Sequence, residues 1–381
     1  MSATASPAHQ DEFAAYATLH ATAFAALFCV GVYASAIGPS LPFIADDLGV
    51  SLDTAGLVLS AFFFGSIAAS AVVAVVLHGE DTRKLGIAGL LTASAGALLL
   101  AIAPNFAIGL AGGVVLGIGD GLMIAALHML MSTTSRNVPS AINRLNIWFA
   151  VGAIAGPLWA GAMLATTGDR WLVFGGVAAI LAATAAAMLI APAPAHERLI
   201  APEGEDAGLR LPGHPTAWIM GIILFLCVGA ECGLGSWVST YARESAYAGV
   251  FGAAVLTSGY WAALFIGRLI SGWYYGGKRD PGLMLLLSIT GAGIASVALA
   301  LSTGNLVLSG AAAFGAGLCM GPIWPTTVSI GAEGGHATAA AATVTLGNSG
   351  GVIIPWLQGR ILVSAGPAEG VVVTAVLCGV M

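Results

Sequence analysis

Gly117-Ile-Gly-Asp-Gly121 sets an aspartate, Asp120, inside an apolar run that extends from Phe106 to Met131. A run of this length crosses a bilayer, since about 20 helical residues at ~1.5 Å each span the ~30 Å of hydrocarbon. An ionised carboxylate at that depth costs roughly 2.5–3.5 kcal/mol on the gentlest scale, so such groups persist where they face a bundle interior or a wet cavity. After a short polar turn the chain re-enters with Asn143-Arg-Leu-Asn146 and continues through Gly152, Gly156-Pro157 and Gly161. The stretch predicts two membrane helices beside a polar pathway.

The rest of the 381-residue chain shares this character. It is 58% hydrophobic and 8% charged, with a mean hydropathy of +0.94, whereas a soluble domain carries about 25% charged residues. An integral membrane protein with little mass outside the lipid bilayer is expected. Only 12 Lys and Arg and a net charge of −6 argue against nucleic acid as a partner. Cys29, Cys227, Cys232, Cys319 and Cys378 lie in apolar runs without metal-ligand spacing and read as packing residues. The 53 glycines suit close helix–helix approach in lipid.

Residues 1–14 form a polar tail without a basic cluster, which argues against a cleaved signal peptide. Apolar segments follow at about 15–39, 52–77, 86–103, 106–131, 143–165 and 171–192, then at about 216–241, 249–274, 282–301, 305–329, 337–364 and 370–381. The last holds about 12 residues, and its ~18 Å falls short of the hydrocarbon thickness; the final helix is expected to be incomplete or the chain truncated. The long polar segment Pro192–Pro215 reads as a linker. The expected organisation is a cytoplasmic tail (1–14), a six-helix bundle (15–192), a cytoplasmic linker (193–215) and a second six-helix bundle (216–381) whose twelfth helix is incomplete.

The halves also match at a fixed offset of 198. Cys29-Val-Gly31 recurs as Cys227-Val-Gly229, Gly117 and Gly119 recur as Gly315 and Gly317, and Pro157 and Gly161 recur as Pro355 and Gly359. A duplicated membrane chain is a transporter architecture, with its site between the halves near the midplane. With the N-terminus placed inside, the inner loops hold Arg83, Lys84, Arg136, Arg144, Arg198, Arg210, Lys278 and Arg279, against Arg170 and Arg243 outside. That imbalance orients a multi-pass cell-membrane protein with a cytoplasmic N-terminus.

Gly38-Pro-Ser-Leu-Pro42 before Asp46-Asp-Leu-Gly49, together with the halves and linker, resembles the major facilitator superfamily over nearly the whole chain. Within it the sequence is most similar to the fucose/glucose-permease-like proton-coupled transporters. Asn143-x-x-Asn146-x-Trp148-Phe149, Glu231-x-x-x-Gly235-x-Trp237 and Gly321-Pro322-Ile-Trp-Pro325 carry that similarity. Two departures stand out. His78-Gly-Glu-Asp-Thr-Arg-Lys84 lacks the superfamily's Gly-x-x-x-Asp-Arg loop pattern, and Gly276-Gly-Lys-Arg-Asp280 is degenerate too. Gly152-x-x-x-Gly156-Pro157-x-x-x-Gly161 also partly matches the fifth-helix motif of drug/proton antiporters, so import and export both remain open.

Asp120 and Glu231, one acidic residue per half, are the candidate proton-coupling groups; either can instead be a structural hydrogen-bond partner between helices. Glu231 can also bind solute hydroxyls. Asn143 and Asn146, three apart on one helix face, join Trp148, Trp324 and Asn348 as candidate solute contacts. Trp148, Trp237, Tyr260, Trp261 and Trp324 can stack on a sugar face, while Trp237 and Tyr241, near an outer helix end, also read as interfacial belt residues. His128 is a candidate for the cytoplasmic vestibule or a helix end. Arg268 reads as a gating or structural residue pairing with a helix end or a carboxylate, and Gly156, Pro157 and Pro355 as points where helices pack closely or bend. No catalytic triad, metal set or nucleotide loop appears. An enzyme is not expected, nor a cofactor.

The expectation is therefore an all-α membrane protein of two six-helix bundles. It would act as a monomeric symporter that moves a small polar, sugar-like solute with protons by alternating access. The rivals are a proton-coupled efflux antiporter and a non-transporting membrane partner or sensor on the same scaffold.

Overall fold

The computed structural model describes residues 16–75, 81–135, 137–192, 215–276, 280–331 and 337–381. The expected tail (1–14) and nearly all of the expected linker (193–215) lie outside them. Among the described residues the chain is helical, without strands. The first seven helices are α1 (Ala17–Leu48), α2 (Leu52–Ala55), α3 (Leu57–Val75), α4 (Thr82–Ile102), α5 (Phe106–Thr134), α6 (Val138–Thr167) and α7 (Arg170–Ile190). The remaining eight are α8 (Pro215–Glu244), α9 (Val250–Gly276), α10 (Pro281–Leu301), α11 (Leu306–Met320), α12 (Ile323–Gly331), α13 (Ala337–Asn348), α14 (Gly350–Ala365) and α15 (Pro367–Val380). Ten spans among the described residues are long and apolar enough to cross a membrane. Helices α2 and α3 combine into one such span, as do α11 and α12.

Helix starts follow local chemistry. Asn105 Oδ1 accepts from the Ile108 amide at the head of α5, and Asn305 Oδ1 accepts from the Leu308 amide at the head of α11, both at 3.1 Å. Such caps satisfy amides that have no partner within the helix. Asp81 caps α4 by accepting from the Arg83 and Lys84 amides, which starts the helix earlier than its apolar pattern. Pro367 stands at the first position of α15, where a fixed φ suits helix entry; α15 therefore holds 14 residues. The apolar segment at 305–329 is interrupted at Gly321-Pro322, and that at 337–364 at Ser349. The helices run through Pro39, Pro42, Pro157 and Pro355.

The helices pack in two groups. In the first, α5 lies between α3 and α4, and α1 lies against α6 and α7. Glycines let backbones touch: a Cβ on Gly117 would overlap the Phe62 carbonyl of α3, and one on Gly152 the Phe28 carbonyl of α1. In the second group α8 packs on α13 and α14, and α9 on α11. Each group encloses its own apolar core.

Contacts between the groups gather at one end, where α1, α6, α8 and α14 finish and where α2 and α9 begin. Gly38 lies against the Ser236 backbone and Gly161 against Ala254. Ser258 Oγ donates to the Ile154 carbonyl at 2.8 Å, and Ser60 Oγ to the Val352 carbonyl at 2.6 Å. Asp53 and Arg360 form an ion pair at 3.9 Å, and the Arg243 guanidinium sits 5.2 Å from the centre of the Phe43 ring. Trp237 corrects the sequence reading. It and Tyr241 are fully buried rather than interfacial. Trp237 fills a slot between Gly56 and Gly359 and belongs to the apolar core of the first group. The Trp237 indole N–H donates to the Pro355 carbonyl at 2.7 Å, which gives that buried donor its partner.

Candidate functional site

Asp120 lies on α5 and is 4% exposed. The Tyr33 hydroxyl of α1 donates to its Oδ1 at 2.7 Å, and the Ser66 hydroxyl of α3 donates to its Oδ2 at 2.6 Å. Close approach of α3 makes this possible: Gly117 and Gly121, flanking the aspartate, lie against the backbone of Phe62 and Ser66. Among the described residues no arginine, lysine or histidine pairs with Asp120. Its partners are neutral hydroxyls, each able to donate to the carboxylate or accept from the acid. The network can hold Asp120 in either protonation state.

Glu231 on α8 has a different environment. Arg268 Nη2 of α9 donates to Glu231 Oε1 at 2.9 Å, and the Tyr260 hydroxyl donates to the Glu231 backbone carbonyl at 2.9 Å. The glutamate side chain is 9% exposed and that of Arg268 is 32% exposed. Glu231 Oε2, Arg268 Nε and the Trp261 indole nitrogen are buried and lack partners among the described residues. Trp261 packs edge-on to Tyr260 and lies against Gly235, one turn from Glu231.

The two acidic residues thus belong to separate networks, one in each group, and no hydrogen bond joins them. The other sequence candidates spread more widely. Asn143, Asn146, Trp148 and Asn348 are exposed, Trp148 by 44%, and Trp324 is partly buried. None of these hydrogen-bonds to Glu231 or Asp120. The His128 imidazole Nδ1 bonds back to the Ile124 carbonyl of its own helix at 2.7 Å. Gly156 and Pro157 are buried, with Gly156 against Val32 and Ser35 of α1; Pro355 is buried as the acceptor for Trp237. Sequence reasoning missed Ser66 and the role of Tyr33 as partners of Asp120. Tyr33 had one signal: it stands 198 residues before Glu231, at the matching place in the repeat. Ser66 had none.

Two helix groups joined at one end, each with an acidic side chain buried among its membrane-length helices, define a multi-pass protein of carrier architecture. The chain belongs to the Major Facilitator Superfamily, whose family profile matches residues 23–355. Solved structures of similar fold are transporters. One is the E. coli fucose:proton symporter FucP, with 19% identity, a TM-score of 0.64, and 96% of this chain and 97% of that chain covered. Another is the nucleoside transporter NupG, with 13% identity, a TM-score of 0.72 and 96% of each chain covered. A bacterial homologue of the human lysosomal transporter Spinster, in an inward-facing and unoccupied conformation, has 15% identity and a TM-score of 0.76, with 99% of this chain and 96% of that chain covered. A curated relative, bypass of stop codon protein 6 of Saccharomyces cerevisiae, is 24% identical over 165 residues, or 40% of this chain; the match spans a third of that relative's length. The resemblance drawn from the motifs therefore holds at the level of the superfamily, and a fucose:proton symporter is among the structural neighbours.

Proposed function

We propose that the chain is a proton-coupled secondary active transporter that carries a small polar, sugar-like solute by alternating access. The observation that carries this reading is Asp120, a buried acid at membrane depth whose partners are two neutral hydroxyls. An ionised form leaves a net charge in the first group, whereas protonation removes it. Neutralisation lowers the barrier to moving that group through lipid surroundings. Glu231, balanced by Arg268, is the second coupling group. The halves 15–192 and 216–381 act as the moving units, and the N-terminus is cytoplasmic in the cell membrane, as the loop charges argue. Solute contacts come from Asn143, Asn146, Trp148, Glu231, Trp324 and Asn348. A hydroxyl-rich solute is favoured by the neighbours, a fucose:proton symporter and a nucleoside transporter among them.

The test is transport in proteoliposomes of the purified chain, with sugars, nucleosides and organic acids, under an imposed pH gradient. Acid-driven uptake of at least one solute that fails in Asp120→Asn is the expected result. Coupled uptake unchanged in that variant overturns the assignment of Asp120. Proton-driven accumulation of an amphipathic dye on the acid side would instead identify an exporter, the reading favoured by the Gly152, Gly156, Pro157 and Gly161 pattern.

A further inference from the structure

The seam between α8 and α9 carries more unsatisfied hydrogen-bonding capacity than its ion pair needs. One N–H of Arg268 meets one oxygen of Glu231, although a guanidinium offers five donors in a planar fork that suits a carboxylate. Arg268 Nε–H and Trp261 Nε1–H are left as donors, and Glu231 Oε2 as an acceptor. Buried polar atoms are normally paired, and here donors outnumber acceptors. Glu231 is nine-tenths buried, while Arg268 remains a third exposed.

Position fixes where these groups look. Ser258 reaches the Ile154 carbonyl of the first group, so that face of α9 turns towards the first group. At about 100° per residue, Trp261 and Arg268 fall within about 80° of Ser258 around the helix. They therefore border the space between the groups, about 10.5 Å apart along the axis. Among the described residues, the other titratable side chains in electrostatic reach of the pair are Tyr260 from α9 and Cys227 and Cys232 from α8. Both types are ordinarily uncharged at neutral pH.

We propose that Arg268, Glu231 and Trp261 form the receptor for a small monocarboxylate bearing a further hydroxyl or keto oxygen. The proposal rests on the transporter reading above and narrows its solute class. The solute carboxylate takes the Arg268 fork, a proton goes to Glu231 Oε2, whose O–H then donates to the solute carboxylate, and a second solute oxygen accepts from the Trp261 indole. Charge balances: an anion and a proton arrive together, so the neutral pair becomes a neutral loaded site. Each orphaned atom then has a partner.

The experiment is thermal stability of the purified full chain in detergent at one fixed pH. It is titrated with gluconate, glucuronate, lactate and pyruvate, and with the neutral counterparts glucose and inositol. A saturable stabilisation by at least one carboxylate, with its neutral counterpart at least tenfold weaker, is expected. Glu231→Gln/Arg268→Gln, which removes both charges and leaves none unpaired, should lose that response by at least tenfold while remaining monodisperse. No response to any carboxylate, an equal response to the neutral counterparts, or a response kept in the folded double variant overturns the proposal. If the double variant does not fold, the comparison of carboxylates with neutral counterparts on the natural chain decides. Proteoliposome flux separates the two readings. Glucose-driven proton entry without gluconate-driven entry removes the carboxylate assignment and leaves the transporter. Gluconate stabilisation without solute or proton movement removes the transporter and leaves the receptor.

Discussion

The Tyr33 hydroxyl donates to Asp120 at 2.7 Å from the place that, 198 residues later, is held by Glu231. One half of the repeat thus uses this position to steady an acid on another helix, and the other half uses it to supply the acid. Tyr33→Phe should keep the fold, because the ring stays packed edge-on to Phe62. A hydrogen bond to a charged group is worth about 1.5–3 kcal/mol, so the predicted loss of proton-driven uptake is roughly tenfold or more. Uptake with and without a pH gradient checks it; equal loss under both conditions would show that the hydroxyl serves binding and not coupling.

At the joined end, Asp53 and Arg360 meet at 3.9 Å, and the Arg360 side chain is 58% exposed. An exposed pair contributes about 0.2–1 kcal/mol. Asp53→Asn should therefore lower the population joined at this end by no more than about fivefold. High salt should mimic the substitution by screening. Spin-label distances across α2 and α14 read the shift, and an unmodified chain indifferent to salt, or a variant that still opens further with salt, would contradict the ion-pair origin.

Gly38 has no room for a side chain against the backbone of Ser236. Gly38→Val is predicted to keep the two groups apart at this end while leaving each group folded. The same spin-label pair should show a longer distance, with a preserved helical spectrum. A distance matching the unmodified chain would show that the contact gives way.

Arg170 is 8% exposed and donates to Asp47 at 2.9 Å, to the Leu100 carbonyl at 2.8 Å and to the Ala103 carbonyl at 2.7 Å. It ties the ends of α1 and α4 to the start of α7. Arg170→Ala strands two carbonyls and unpairs Asp47, whose side chain is 40% exposed, and the predicted loss, mainly from the carbonyls, is about 2–4 kcal/mol. Thermal unfolding of the purified chain should show a fall of several degrees. Arg170→Lys should recover only part of this, since an ammonium lacks the planar fork.

The fold was legible because lipid leaves few alternatives: membrane-length apolar runs must become helices. Asp120 and Glu231 stood out for the same reason. Their surroundings did not. Ser66 is one serine among many, and only packing of α3 on α5 brings it to the carboxylate. Arg268 sits 37 residues from Glu231, a separation no helical periodicity links. Arg170 counted in the sequence as a loop charge, yet three acceptors enclose it. Trp237 looked like a belt residue because its helix end was visible and its two glycine neighbours, 181 residues before it and 122 after it, were not.

Trp237 is sealed on both sides by glycine. An aromatic side chain of this size hides about 150–250 Å², worth roughly 4–6 kcal/mol at ~25 cal/mol per Å². Pulling the indole from its twin notches would wet that area and exchange its bond to the Pro355 carbonyl for one to water. Opening of this end therefore has to be matched by a comparable gain of contacts elsewhere in the protein or with a bound solute.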